Sequence, residues 1–595
     1  MKTRFSRYAW AVLLLAAISA CTPNIPYRTI SSPCNHQPNG QIDDACLKHS
    51  IHHFKGSLGN VTYRYVLGIV ELDDQGQLHD RRQLEQLTET IRKEDNPLVI
   101  VYVHGWKNNA APENRDLRNF QEILQQVAAR EAIDVAMASL VGHISDEMVN
   151  AIGIGIENDP YVELEKERFK LLGSDLTSKE VQRMISIGKE RFPDMRAAVA
   201  TRSQPREVIG VYVGWRGESI TVPGLRQMTF WGRKSVANKI GEGALSAILL
   251  KLETITLSKR AEYGYRTNAI FDGLLKTRHD TKSFWSQDVA QVPAQLVIVG
   301  HSFGAAAVYA AVSQVLLTRY LESCYAAEQV ERKACLAKGV GDLVILINPA
   351  FEAIKFDAMH SLVSESSYVR FGEGQAPLLV VLGSEGDWPN KRLFPFGRFA
   401  STMFDAEKKS RDQSRNNKTA IGLYRDYQTH CLTETPGKND FASLHSAWSQ
   451  LTVEDIKQLQ EGLSSITEEQ YGQLMDYVLF TLNAEVNLLR VLKGYDTMPT
   501  TASDQATAAT SPLARGYSVE TRAYVDVGGV RFSHGSPAMA NNPYLFIQVG
   551  KNLVPGHSEI FDPRFLEFID LVIKESLRHT FVRDYLEEHR SEVYQ

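Results

Sequence analysis

The sequence predicts an α/β protein, a doubly wound and mostly parallel sheet interrupted by two large, mainly helical insertions. Two observations carry that expectation. Segments 97–104, 208–214, 295–300, 343–347, 377–382 and 543–549 are short continuous apolar runs, the pattern of parallel strands buried on both faces. Between several of them, apolar residues recur at helical spacing, and strands alternating with helices imply one wound sheet. The composition fits: 43% hydrophobic and 23% charged residues over 595 are values of an ordinary globular protein.

From the N-terminus, Lys2, Arg4 and Arg7 precede an apolar stretch, 8–18, too short for a stable membrane span. It closes on Ile18-Ser19-Ala20-Cys21, which resembles the lipobox of bacterial lipoprotein signals. That resemblance implies a signal peptide over 1–20, cleavage before Cys21, and acyl chains on Cys21 that hold the chain at the membrane without a transmembrane helix. An ordinary secretory signal with an incidental Cys is the alternative. Thr22 after the Cys leans towards the outer membrane, so the expected location is the bacterial cell envelope, facing the periplasm. Residues 21–57 are polar and turn-rich and read as a tether, leaving 58–595 as the folded domain.

Within that domain, 63–72 alternates loosely as an early strand, with a turn at 73–76. Leu84, Leu87 and Ile91 mark a helix, and Leu117, Phe120, Leu124 and Val127 another, with a further helix expected over 235–257. Phe565, Phe568, Ile569 and Val572 mark a closing helix. The insertions span about 132–206 and 390–540, the second with helical segments at 453–463 and 468–482 and a low-complexity stretch at 499–512. Insertions of this size either cover an active site or form a peripheral, partner-binding decoration.

A net charge of −5 gives no basic excess, so no nucleic-acid partner is expected. Export would place the cysteines in an oxidising compartment. With Cys21 lipidated, Cys34 with Cys46 and Cys324 with Cys335 are candidate disulfides, each bracketing a polar loop, and Cys431 is left over. No Cys-x-x-Cys or histidine-cluster spacing points to a metal.

The chemistry centres on Gly300-His301-Ser302-Phe303-Gly304. An apolar strand runs into Gly-x-Ser-x-Gly and a small-residue segment, 305–311, follows, which is the context of a nucleophile elbow. A serine hydroxyl needs a base to take its proton and an acid to orient that base. The polar loop after 377–382 offers Asp387, with Glu385 the nearest rival and Glu352 a distant one. The loop after 543–549 offers His557, just before the closing helix; His430, His445 and His534 lack that setting. The amides of Phe303 and Trp106, the latter in the loop His104-Gly105-Trp106-Lys107-Asn108-Asn109, are candidate oxyanion donors. His104 itself reads as a strut in that loop. Trp215, in Gly214-Trp215-Arg216-Gly217, either lines a substrate pocket or only packs the loop.

Together these residues resemble the α/β-hydrolase superfamily on its esterase and lipase side, over perhaps half the chain, with the insertions outside the match. In that family acid and base follow the serine in this order, each on a loop after a later strand. This chain has His-Gly-Trp where many esterases have His-Gly-Gly-Gly. The resemblance implies a mostly parallel eight-stranded sheet and a serine hydrolase, here envelope-anchored, that cleaves carboxylic esters through an acyl-enzyme on Ser302, His557 and Asp387. No metal or organic cofactor is implied, and the partners are an ester or acyl substrate and the membrane. Acyl transfer, thioester or amide cleavage on the same residues is one alternative. A non-catalytic lipoprotein that uses the fold as a binding module is another.

Overall fold

The computed structural model describes residues 24–36, 42–58, 61–141, 205–217, 230–275, 294–325, 334–365, 370–372, 375–395, 411–435, 488, 491–492, 524–527, 529–534 and 541–588. Its strands are β1 (Ile30–Asn35), β2 (His49–Leu58), β3 (Val61–Leu72), β4 (Leu98–Val103), β5 (Val208–Trp215), β6 (Gln295–His301), β7 (Ala334–Cys335), β8 (Leu343–Ile347), β9 (Arg370–Phe371), β10 (Leu379–Ser384), β11 (His430–Glu434), β12 (Tyr524–Val527), β13 (Val530–His534) and β14 (Tyr544–Val549). The α-helices are α1 (Arg81–Lys93), α2 (Arg115–Val141), α3 (Phe230–Ile240), α4 (Ser246–Leu275), α5 (Phe303–Tyr320), α6 (Asp357–Glu365), α7 (Arg411–Lys418) and α8 (Pro563–Glu588). None of the helices among the described residues is long and apolar enough to cross a membrane.

Twelve strands make one sheet in the order β1-β2-β3-β5-β4-β6-β8-β10-β14-β11-β13-β12, while β7 and β9 pair apart. From β3 to β11 every neighbouring pair is parallel. Antiparallel β2, with β1 beyond it, closes one side, and the hairpin of β12 and β13 closes the other. The chain is therefore α/β with a mostly parallel sheet.

Strand β4 shows why the apolar runs fold this way. All six of its residues are buried; Val99, Val101 and Val103 join one core, and Leu98, Ile100 and Tyr102 join the other. The first core is completed by Leu84, Leu87 and Ile91 of α1 and by residues of α3, α4 and α5. The second is completed by Leu117, Phe120 and Leu124 of α2 and by Phe565, Phe568 and Val572 of α8. Side chains alternate across a strand, so a strand covered by helices on both faces must be apolar throughout.

Four expectations need correction. The 21–57 tether is not one: β1 and β2 lie within it and extend the sheet, with Ile51 and Phe54 buried in its two cores. Strand β2 hides from a search for apolar runs because its buried residues include the polar Ser50 and His52 beside Ile51 and Phe54. The sheet has twelve strands rather than the eight that the resemblance implied, and eight of the twelve form the parallel run. The 390–540 span, expected as a mainly helical insertion, also holds three strands of the main sheet, β11, β12 and β13, which bury Leu432, Val525 and Phe532. The helix expected over 235–257 is broken by a π-type turn at Gly241–Leu245, where Gly243 leaves helical geometry. Residues 453–463, 468–482 and 499–512, and most of 132–206, lie outside the described residues, as does Cys21.

Candidate active site

Three loops at the C-terminal edge of the parallel strands meet around Ser302. Strand β6 ends at His301 and α5 begins at Phe303, leaving Ser302 alone to turn the chain, at φ 58° and ψ −118°. Positive φ is rare for a residue with a side chain and is held only where surroundings over-determine it. Here the Ile347 carbonyl accepts from the Ser302 amide (3.0 Å), and the Ser302 carbonyl accepts from the amides of Ala350 (3.1 Å) and Ala306 (3.2 Å). The flanking glycines are required by space: a Cβ on Gly304 would sit 1.9 Å from the Val103 carbonyl oxygen, and one on Gly300 2.6 Å from Ala305 Cα. Gly105, on the loop after β4, also has no room for a side chain, since its Cβ would fall 2.8 Å from Ser302 Cβ.

His557 comes from the loop between β14 and α8, and Asp387 from the loop after β10. Ser302 Oγ stands 2.6 Å from His557 Nε2, and His557 Nδ1 2.9 Å from Asp387 Oδ1. With Nδ1–H donating to the carboxylate, Nε2 is left as the acceptor for the serine proton. Asp387 is buried, and its charge is matched by donors: its Oδ1 also accepts from the Asn390 amide (3.0 Å), and its Oδ2 accepts from Asn390 Nδ2 (2.7 Å).

Two asparagines that sequence reasoning missed build this half of the site. Asn348, just past β8 at φ 45°, donates from Nδ2 to the His557 carbonyl (3.0 Å) and accepts at Oδ1 from the Ser384 amide (2.9 Å). One side chain thus ties the base loop to the acid loop. Asn390 Nδ2 also reaches the Asn348 carbonyl (3.1 Å). The one signal in the sequence was the dipeptide Asn348-Pro349 at a strand end, which marks a turn but not its purpose. His301 adds a second donor to the His557 carbonyl from Nε2 (2.8 Å). Burial, then the nearby His557, lowers its pKa to about 3, so it acts as a neutral strut.

The other candidates fall into place around these. His104 Nε2 accepts from the Trp215 amide (3.0 Å), its Nδ1 bonds to the Gly105 carbonyl (2.9 Å), and its own carbonyl accepts from Trp215 Nε1 (3.0 Å). Burial lowers the His104 pKa to about 4, which keeps it neutral. The rings of His104 and Trp215 stack at 5.4 Å and 4°. Trp215 is therefore loop packing, and His104 fixes the loop that carries Trp106 beside Ser302. Trp106 is followed by Lys107 at φ 77°, a tight turn, and Phe303 holds the first position of α5, where helix amides point out of the N-terminus. Of the rival acids, Glu352 pairs with Lys234 and Glu385 accepts from Gln548 Nε2 (2.8 Å). His430 bonds Thr429 and the Val491 carbonyl, His430 and His534 pack against each other away from Ser302, and His445 lies outside the described residues.

Cys34 is bonded to Cys46 and Cys324 to Cys335, and Cys431 is a free thiol. Among the described residues the one group with metal-ligand spacing is Cys34, His36 and Cys46, and its two sulfurs are joined to each other. A cavity of about 370 Å³ lies behind the acid loop, lined by Asn390, Lys391, Tyr424, Arg425 and Phe546 among others. It includes neither Ser302 nor His557, so it does not define where a reacting group sits.

Comparison with known families, curated proteins and solved structures finds no match to this chain. What the site can do is therefore argued from its own geometry. A hydroxyl, an imidazole whose Nε2 faces it as acceptor and a buried carboxylate form the arrangement that activates serine for attack on an acyl carbon.

Proposed function

We propose that the chain is a serine hydrolase of the α/β-hydrolase type that cleaves carboxylic esters through an acyl-enzyme. The observation that carries this reading is the unbroken chain from Asp387 through His557 to Ser302, at 2.9 and 2.6 Å. His557 Nε2 takes the Ser302 proton as Oγ attacks the ester carbonyl. Asp387 holds the imidazolium, and the amides of Phe303 and Trp106 donate to the tetrahedral oxyanion. His557 returns the proton to the leaving alcohol. Water, deprotonated by the same imidazole, then releases the acid. Loss of one oxyanion donor typically costs about 3–4 kcal/mol of transition-state stabilisation. The two disulfides accord with an exported chain, and the reading includes anchoring at the bacterial envelope through acylated Cys21. Thioester or amide cleavage and acyl transfer share this intermediate, and product analysis with an added alcohol separates them.

The test is labelling with a fluorophosphonate. The folded protein is expected to carry one adduct, on Ser302, and Ser302→Ala to carry none while losing p-nitrophenyl ester hydrolysis by about 10⁵–10⁶-fold. Folded wild-type protein that takes up no label would sink the reading.

A further inference from the structure

The N-terminal segment is locked onto the same edge of the sheet as Ser302. The Glu71 carboxylate, at the end of β3, accepts from the amides of Tyr27 and Arg28, both at 2.8 Å. Arg28 is fully buried; its Nε donates to the Ala110 carbonyl (3.0 Å), its Nη1 to the Leu47 carbonyl, and its own carbonyl accepts from Gln83 Nε2 (2.7 Å). Ala110 belongs to the loop that carries Trp106. In register, Glu71 faces Gly214 of β5, while Val103 of β4 faces Val213 of β5 on one side and Gly300 of β6 on the other. Glu71 thus stands level with the start of the nucleophile turn, three strands and about 15 Å away at normal strand spacing.

Six residues lie between Cys21 and Arg28, so seven residue steps give a reach of at most about 25 Å even when fully extended. An acylated Cys21 must then hold the bilayer near this edge rather than the opposite one. The surface agrees. The two most exposed large apolar side chains among the described residues are Ile25 and Trp388, both 58% exposed, and both lie here. Ile25 borders a shallow crevice with Leu72, Trp215 and Arg216, at the ends of β3 and β5. Trp388 directly follows Asp387, and exposed Lys391, Arg392 and Leu393 come after it. An exposed Trp with neighbouring cations and an aliphatic residue is the composition of a segment that sits at headgroup level. The exposed carboxylates on this side include Glu113, in the loop after β4, Glu434 at the end of β11, where it pairs with Arg564, and Glu385 and Glu559; none falls within the 388–393 segment.

We propose that this edge lies against the bilayer that carries acylated Cys21, with Trp388 and Leu393 at headgroup depth, and that the site takes acyl esters resident in that membrane. The proposal rests on the hydrolase reading and on lipidation of Cys21, and its parts fail separately. The acylated full chain, with Cys431→Ser, is placed in vesicles of phosphatidylethanolamine with a minor share of phosphatidylglycerol and nitroxide-labelled lipid. An environment-sensitive dye is attached at Trp388→Cys, at Leu393→Cys as a second position, or at Asp95→Cys in the turn before β4 on the opposite edge. Quenching by the nitroxide is expected to be about threefold or more stronger at 388 and 393 than at 95, given the shallow burial of interfacial segments. Equal quenching, or stronger quenching at 95, overturns the orientation. A mature N-terminus without acyl groups by mass spectrometry overturns the anchor on which it depends. Retained quenching at 388 together with no fluorophosphonate adduct on the wild-type chain would instead remove the hydrolase reading and the substrate class with it. In the kinetic arm, Arg392→Glu with Leu393→Asp is expected to slow cleavage of a vesicle-borne diacyl ester by about fivefold or more, with p-nitrophenyl butyrate hydrolysis within about twofold of wild type. Equal loss on both substrates overturns the membrane-borne substrate class.

Discussion

The two halves of the candidate site are built by different means. The serine half is set by backbone. Ser302 is fixed by its own amide and carbonyl, and by glycines at 105, 300 and 304 that let three chain segments close to within a Cβ of one another. The acid–base half is set by side chains. His557 and Asp387 stand on loops joined by the amides of Asn348 and Asn390, and Ser384 Oγ reaches the Val554 carbonyl to pin one loop to the other. A backbone device tolerates no change of volume but does not depend on any one hydrogen bond. A side-chain device is the reverse, so the two halves should break differently.

The largest effect should come from adding a methyl group to each half. In Gly304→Ala the new Cβ meets the carbonyl oxygens of Val103 (1.9 Å) and His104 (2.5 Å), at the end of a central strand that has nowhere to go. A loss of about 4 kcal/mol or more of stability is expected in urea unfolding, by overpacking of fixed backbone. In Gly386→Ala the new Cβ meets the Pro555 carbonyl oxygen at 2.2 Å, but both partners are on loops. The loops can part, at about 1–2 kcal/mol, and His557, two residues beyond Pro555, would move with them. Activity should therefore fall further in Gly386→Ala than its stability does. Equal stability losses in the two variants would show that the halves are equally rigid.

This contrast also explains what could be read from the sequence. The apolar runs of β4, β5, β6, β8, β10 and β14 and the elbow around Ser302 were legible, because burial on both faces and a tight turn each leave a local signature. Asp387 and His557 were legible only through their loops' position after late strands. Asn348 and Asn390 were not, since an asparagine at a strand end has many uses and its partners lie 209 and three residues away. The strands at the two sides of the sheet, β1 and β2 and β11, β12 and β13, escaped for a related reason. They are short or rich in polar residues, and β11 takes its place in the sheet only by pairing with β14, far along the chain.

A smaller effect should follow from removing the amide that joins the acid–base loops. Asn348→Ala takes away the donor to the His557 carbonyl and the acceptor for the Ser384 amide. The imidazole would lose its fixed position relative to Ser302 Oγ, and small misplacements of reacting groups cost up to about 100-fold. The loss should appear in kcat with little change in KM, and fluorophosphonate labelling of Ser302 should slow in proportion. An unchanged kcat would mean that His301, the second donor to that carbonyl, suffices alone.

The smallest effect is a pH dependence that belongs to the serine half. His104 and His301 are buried there as neutral rings, with pKa lowered to about 4 and about 3 by burial. The unfolded chain takes up those protons below its ordinary histidine value near 6.5, whereas the folded chain does so only near 4 at His104 and near 3 at His301. The unfolded state then binds more protons, and stability falls as pH drops through that window, by up to about 1.4 kcal/mol per pH unit for each such ring. His301→Gln keeps an amide donor for the His557 carbonyl but cannot titrate. Between pH 6 and 4 its unfolding free energy should fall less steeply than that of wild type, by about one proton's worth of slope, with the two converging in slope above pH 7. Parallel slopes throughout would mean that His301 takes up its proton in the folded state as readily as in the unfolded one, and that the serine half is wetter than its packing implies.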